Sequence, residues 1–250
     1  MENKIPKIIH YCWFGKSPEN DLMKKCLESW KRYLPDYELY LWNEETFDIN
    51  SNIFTKEAYE NKKWAFITDY VRLYALKNYG GIYMDTDVEV LKNLDEFLKY
   101  SAFSGFEDEQ CIPTGIMASE KNHVWIERLF QYYEDKHFQN KDGKLEVTPN
   151  TKIITKISEK FFNLKINNKR QTLKYNVEIF PKDYFCPKNH YSGKIYLTKN
   201  SYTIHHFNGS WMNKTQMIKK KIHSILISIV GEKNHMKILK LLKRKVGENE

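Results

Sequence analysis

Residues 64–87 constrain the fold of this 250-residue chain more than any other stretch. Ala65, Phe66, Tyr70, Leu73, Leu76 and Lys77 recur with a period near 3.6, which predicts a helix over 64–79. Apolar side chains cover most of its circumference, so it is expected to be buried on more than one side. Gly80-Gly81 ends it, with Gly80 as the natural left-handed cap. Ile82-Tyr83-Met84 then forms a short strand that runs into Asp85-Thr86-Asp87, and Val88-Glu89-Val90 continues extended. A helix turning through two glycines into an apolar strand belongs in an α/β sheet. Acids at the carboxyl end of such a strand stand where α/β sheets bind ligands.

The chain opens in the same manner. Ile5 to Phe14 is apolar and β-prone and is closed by Gly15, which predicts a buried strand. Ser17-Pro18-Glu19 offers an N-cap, a first-turn proline and an early acid. Leu22, Met23, Cys26, Trp30 and Tyr33 follow at helical spacing, and Tyr37 to Trp42 reads as a second strand. This β-α-β opening implies a parallel sheet covered by helices. Further strand pieces are expected at Phe103 and Ile116-Met117-Ala118, and helices at 123–133 and 151–162. Residues 162–201 read as loops and short strands.

Composition excludes several classes. Hydrophobic residues at 41% and aromatics at 15% rule out general disorder. No run approaches the roughly 18–20 apolar residues of a membrane span. Met1 to Lys7 carries no apolar run after its first lysine, so no secretory leader is expected. Cys12, Cys26, Cys111 and Cys186 are scattered, which argues against structural zinc or a disulfide framework and fits a reducing cytosol. The net charge of +8 is concentrated in residues 214–246, where ten Lys/Arg face the single acid Glu232. Residues 1–213 hold 30 basic and 29 acidic side chains, so the body offers no basic stripe and nucleic acid is not an expected partner. In the tail, Ile218, Ile222, Ile225, Leu226 and Ile229 form one apolar stripe, and Ile238, Leu239, Leu242 and Val246 a second. Two readings stand: the stripes pack on the domain with lysines in water, or residues 216–246 lie on an anionic membrane surface. The expected division is a body at 1–213 and a tail at 214–250.

Three groups of residues carry chemistry. Asp85 and Asp87, one residue apart at a strand end, can hold a hard divalent cation, although a solvated surface turn would read the same. Asp69 and Arg72 share a helix face and can pair, as a functional couple if buried or as an ordinary surface ion pair if not. Ile204-His205-His206-Phe207-Asn208-Gly209-Ser210-Trp211 can deliver an imidazole and an indole to one site, or supply a core histidine. Two carboxylates with one imidazole would favour Mn²⁺ over Mg²⁺.

The string from Asp69 through Arg72, Leu76, Gly80, Gly81, Tyr83 and Asp85 to Asp87 resembles the D-x-x-R-x-x-x-L-x-x-x-G-G-x-Y-x-D-x-D signature of the family 32 sugar transferases. That family holds bacterial capsular-polysaccharide and yeast mannosyl transferases, and the glucosylating clostridial toxins share its core. Ile9 to Gly15 resembles its opening strand, and His205-His206 with Gly209-Ser210-Trp211 its capsular ending, so the resemblance runs from about Pro6 to Trp211.

The resemblance implies a GT-A fold, Rossmann-like and α/β, with the basic amphipathic tail appended. It implies that Trp13 stacks on the nucleotide base and that Asp69 and Arg72 grip the donor sugar. Asp85 would face ribose and sugar, Asp87 would ligate the metal, and Trp211 would close over the diphosphate. His206, three residues before Gly209, is the expected second metal ligand beside Asp85 and Asp87, with His205 the alternative. His10, Thr68, Tyr83, Thr114, Gly115 and Ser210 complete the expected donor-binding set. Thr114 and Gly115 stand where many relatives carry an asparagine, which bears on sugar identity. The implied activity is retaining, metal-dependent transfer from a nucleotide-diphosphate sugar to a glycan or lipid-linked acceptor, as in capsular or exopolysaccharide synthesis. The donor would be UDP-galactose, UDP-glucose or an N-acetyl form, or else GDP-mannose. A phosphohydrolase would want more clustered Asp and His. A non-enzymatic membrane adaptor would leave Asp69, Arg72, Asp85 and Asp87 without purpose. The expected location is the cytoplasm, at the inner face of the plasma membrane.

Overall fold

A mixed sheet of seven strands organises the chain, as seen in a computed structural model that describes residues 3–112, 115–209, 214–231 and 234. Strand β1 (Ile8–Cys12) leads to helix α1 (Asp21–Tyr33) and strand β2 (Glu38–Trp42). Helices α2 (Ile53–Glu60) and α3 (Trp64–Tyr79) follow, then strands β3 (Gly81–Met84) and β4 (Val88–Val90). Next come β5 (Ala102–Gly105), β6 (Ile116–Ser119), α4 (Val124–Phe130) and α5 (Asn150–Phe162). The remaining elements are β7 (Gln171–Thr172), β8 (Val177–Phe180), α6 (Lys182–Phe185), β9 (Thr203–His205) and α7 (Lys214–Val230).

The main sheet has the order β2-β1-β3-β6-β5-β8-β7, and β4 pairs with β9 in a separate ladder. The expected α/β class is thus what the structure shows. The β-α-β opening is parallel as expected, while the sheet as a whole is mixed. β1 runs parallel to β2 and β3, but β6 lies antiparallel between β3 and β5. The sequence pattern could not reveal this, because a strand buried on both faces reads as a plain apolar run whichever way it points.

Period-two alternation sends the side chains of one strand into two cores. Ile82 and Met84 join Ile9, Phe103, Phe180 and Trp30 of α1 on one side. Tyr83 joins Met117, Cys12, Val71, Leu73 and Trp125 on the other. Helix α3 begins and ends where the periodicity set it, while α1 starts later than expected. Its cap is Asn20, whose side chain accepts from the Met23 amide at 2.9 Å, rather than Ser17. The Gly80-Gly81 turn is explained by close approach: a Cβ on Gly81, at φ +105°, would lie 2.7 Å from the Ile8 carbonyl oxygen.

The residues fall into two units, Met1–Pro187 with Leu197–His206, and Lys188–Tyr196 with Phe207–Glu250. The hairpin 188–196 thus groups with residues 207–250.

Candidate functional site

Asp85 and Asp87 leave the carboxyl end of β3, and three other pieces of chain converge on them. Gly115, at the start of antiparallel β6, accepts from the Asp85 amide at 2.9 Å. The β4–β9 ladder sets Val88 opposite His205, and the His206 amide donates to the Asp87 carbonyl at 2.9 Å. Helix α3, packed on the Tyr83 face, supplies Asp69 and Arg72 from behind.

Asp69 and Arg72 are buried, at 9% and 4% exposure, so the surface-pair reading of this couple does not hold. Arg72 Nη2 lies 3.2 Å from Asp69 Oδ1 and 3.3 Å from Asp85 Oδ1, its Nε donates to the Thr68 carbonyl, and its guanidinium sits 4.5 Å over the Tyr83 ring. The Tyr83 hydroxyl donates to the same Asp85 Oδ1 at 2.7 Å. Asp85 thereby divides its two oxygens. Oδ1 belongs to the Arg72 network, and Oδ2 faces His205 Nε2 at 3.9 Å.

Asp85, Asp87 and His205 could hold a metal ion together, since one candidate ligand atom of each lies within 4.8 Å of the others. His205 Nε2 is 3.2 Å from Asp87 Oδ1. The expectation that His206 joins the carboxylates is corrected: its Nε2 lies 2.7 Å from Glu89 Oε2, which also pairs with Lys25 at 2.8 Å. The reason is strand geometry. The register puts His206 on the Glu89 side of the ladder, so the adjacent His205 points to the other side, where the turn before β4 brings Asp87. Gly115 adjoins the chosen one, since a Cβ there would stand 2.8 Å from His205 Nδ1.

The charge balance suits a cation. Burial pushes the Asp69 carboxyl up to about 6 against the pull of Arg72 and Asn150. Burial likewise pushes Glu107, just past β5, up to about 7, although His205 pulls it down. Burial pulls the His205 imidazole down, but the Asp87 carboxylate and the Cys186 thiol more than offset it and hold the ring well above its ordinary value. Arg72 stays charged, because Asp85, Tyr83 and Asp69 outweigh its desolvation.

Other expected residues fall differently. His10 is engaged within the fold: its buried Nε2 donates to the Gly80 carbonyl at 2.8 Å while Nδ1 accepts from Trp42 at 3.2 Å, bracing the glycine turn. That neutral, fully engaged ring is pulled down to about 4 by burial. Trp13 lies just past the carboxyl end of β1, half-buried, its indole donating to the Ser17 carbonyl at 2.7 Å. Thr68 supports the site from behind, hydrogen-bonded to the Trp64 carbonyl and to Cys12. Thr114, Ser210 and Trp211, with the stripe at 238–246, lie outside the described residues.

Asn150, Glu107 and Cys186 were not singled out by the sequence. Asn150 opens α5 and its Nδ2 donates to Asp69 Oδ1 at 2.8 Å, across 81 positions of chain. None stands in a motif. A helix expected at 151–162 was the only signal, and it could not indicate that its first residue meets Asp69.

Residues 20–104 match the family described as "Glycosyltransferase sugar-binding region containing DXD motif", a stretch that contains Asp69, Arg72, Asp85 and Asp87. The chain is 31% identical over 129 residues to inositol phosphoceramide mannosyltransferase 3 of Schizosaccharomyces pombe, covering 49% of this chain and 35% of that protein. It is 26% identical over 228 residues to an uncharacterized glycosyltransferase, L373, of Acanthamoeba polyphaga mimivirus, covering 86% and 87% of the two chains. Among solved structures, the PaToxG glycosyltransferase superposes with a TM-score of 0.47 at 18% identity, over 62% of this chain and 69% of the other. The chain thus spans about a third of the yeast relative and most of the viral one.

Proposed function

We propose that this chain is a GT-A glycosyltransferase that moves a hexose from a nucleotide-diphosphate sugar, with a divalent cation held by Asp85, Asp87 and His205. One observation carries the reading: Asp85 joins a buried Arg72–Asp69 couple to a three-ligand cation cluster, within the stretch that matches a DXD sugar-binding family. The donor set of two carboxylates and an imidazole fits Mn²⁺, with Mg²⁺ the weaker candidate. A divalent ion held by these three residues would supply positive charge against the departing diphosphate.

The chain's own residues do the rest. Asp69 and Asp85 present carboxylate oxygens for the sugar hydroxyls, and Arg72 fixes both in position through one guanidinium. Asp69 Oδ1 is engaged by Asn150 and Arg72, and Asp85 Oδ1 by Tyr83 and Arg72. Such oxygens suit fixed acceptors better than a nucleophile. Retention would then follow from attack on the face the diphosphate leaves, with a phosphate oxygen taking the acceptor's proton.

Mannose is the sugar to test first, because the named yeast relative is a mannosyltransferase. The UDP-hexoses remain the other arm, and a glycan or lipid-linked glycan is the acceptor class. The deciding experiment is calorimetric titration of GDP and UDP into the protein with and without Mn²⁺, repeated on Asp87→Asn. Binding that requires Mn²⁺ and disappears in the variant supports the reading, and the preferred nucleotide selects the donor series. Metal-independent binding, or none, would remove it.

A further inference from the structure

The hairpin 188–196 and the helix α7 form one unit whose apolar side chains face outward and whose charge is of one sign. In α7 the five residues of the first stripe are exposed, Ile218 at 60% and Ile229 at 72%, while Ile227, half a turn away, is buried. At 100° per residue the stripe from Ile218 to Ile229 occupies one side, with His223 and Ile227 toward the other. His223 meets the Tyr191 ring of the hairpin at 4.9 Å. The packed side of α7 is therefore the His223–Ile227 side, and the apolar stripe is left outside. The hairpin is a tight, internally bonded turn: Lys188 bridges Ile195, and the Asn189 side chain accepts from the amides of Tyr191 and Ser192. It too presents exposed apolar groups, Ile195 and Tyr196.

Charge follows the same division. Lys188–Tyr196 with Phe207–Glu250 holds 12 Lys/Arg and three Asp/Glu, whereas the rest of the chain holds 28 and 29. A soluble chain has no physical need to gather exposed isoleucines and surplus lysines in one place. No helix among the described residues is long and apolar enough to cross a membrane.

We infer that this unit is a two-element docking surface for an anionic lipid bilayer, with α7 lying in the interface and the 188–196 hairpin inserting Ile195 and Tyr196 beside it. Apolar side chains enter the acyl boundary while lysines meet anionic headgroups. A second copy of this chain is disfavoured as the occupant, because it would bring the same positive surplus against itself. The inference does not depend on the donor reading, and the test separates them.

The full chain is sedimented with phosphatidylcholine vesicles and with vesicles in which about a third of the lipid is phosphatidylglycerol, at low and high salt. Binding is expected only to the anionic vesicles and is expected to weaken with salt. Ile222→Asp/Ile229→Asp is expected to lose binding by about a hundredfold, and Ile195→Asp/Tyr196→Asp by about tenfold. Equal binding to both vesicles, or to neither, overturns the lipid assignment, as does a dimer that Ile222→Asp/Ile229→Asp dissolves. Unchanged affinity in the hairpin variant overturns the two-element surface. The salt and lipid dependence of the unaltered chain decides the matter even if a variant misfolds. Mn²⁺-dependent nucleotide titration of the same proteins reports the donor site separately.

Discussion

In the body of the chain, charges are buried and paired; in the hairpin-and-helix unit, apolar groups are exposed and charge is in surplus. Arg72 at 4% exposure touches two carboxylates and an aromatic face, while Ile229 at 72% stands outside the packed side of its helix. Each is an inversion of what folding alone favours. Burying a charge costs several kcal/mol unless partners hold it, on the order of 3–5 kcal/mol when one partner is removed. Leaving an isoleucine in water forfeits about 1.5–3 kcal/mol of burial. The first inversion points inward to a small ligand with charge and hydroxyls, and the second points outward to an extended surface.

The comparison can be broken most forcefully at Asp87. Asp87→Asn should lower sugar-nucleotide turnover by about a thousandfold or more and abolish Mn²⁺-dependent nucleotide binding, while vesicle binding stays as it was. Turnover and sedimentation on the same preparation check this, and a parallel loss of both would mean the regions are not separate. Arg72→Lys comes next. A lysine has one nitrogen for Asp69, Asp85 and the Thr68 carbonyl, so kcat/KM should fall about a hundredfold. Wild-type kinetics in that variant would show that the couple is merely structural.

Asp69 gives a pH signature. Its carboxyl titrates at about 6 in the fold against a reference value of 3.8, so ionisation disfavours the folded state. The stability associated with this group is present below about pH 4 and is lost as pH rises through 6. Asp69→Asn lacks that loss and should gain on the wild type by up to about 3 kcal/mol between pH 4 and 7 in urea unfolding. A pH-independent difference would show that Asp69 is not held in this buried form. Gly115→Ala, whose Cβ meets His205, should weaken Mn²⁺ affinity about tenfold in calorimetry. His206→Ala should leave Mn²⁺ affinity unchanged and cost about 1 kcal/mol of stability through the Glu89 contact. A reversal of these last two results would restore His206 as the ligand.

Several elements and the aspartates at the end of β3 were legible in the sequence. Period 3.6 from Ala65 to Leu76, a Gly-Gly stop and a three-residue apolar strand are local facts, so α3, β3 and the position of Asp85 and Asp87 at a strand end could be read directly. The Asp69–Arg72 contact was legible for the same reason, since residues three apart on a helix share a face. The tail's stripe was also local, but whether it packed or faced outward was not. Tertiary structure decided that, because the answer depends on what lies against Ile227 and His223. It decided the direction of β6, which no buried strand advertises. It also turned His206 toward Glu89 and His205 toward Asp87, and brought Asn150 to Asp69 from 81 positions away. Local chemistry repeats along the chain and can be counted in a window of a few residues. Register, strand direction and long-range pairing are set by which faces must be buried together, and they exist only once the chain has closed on itself.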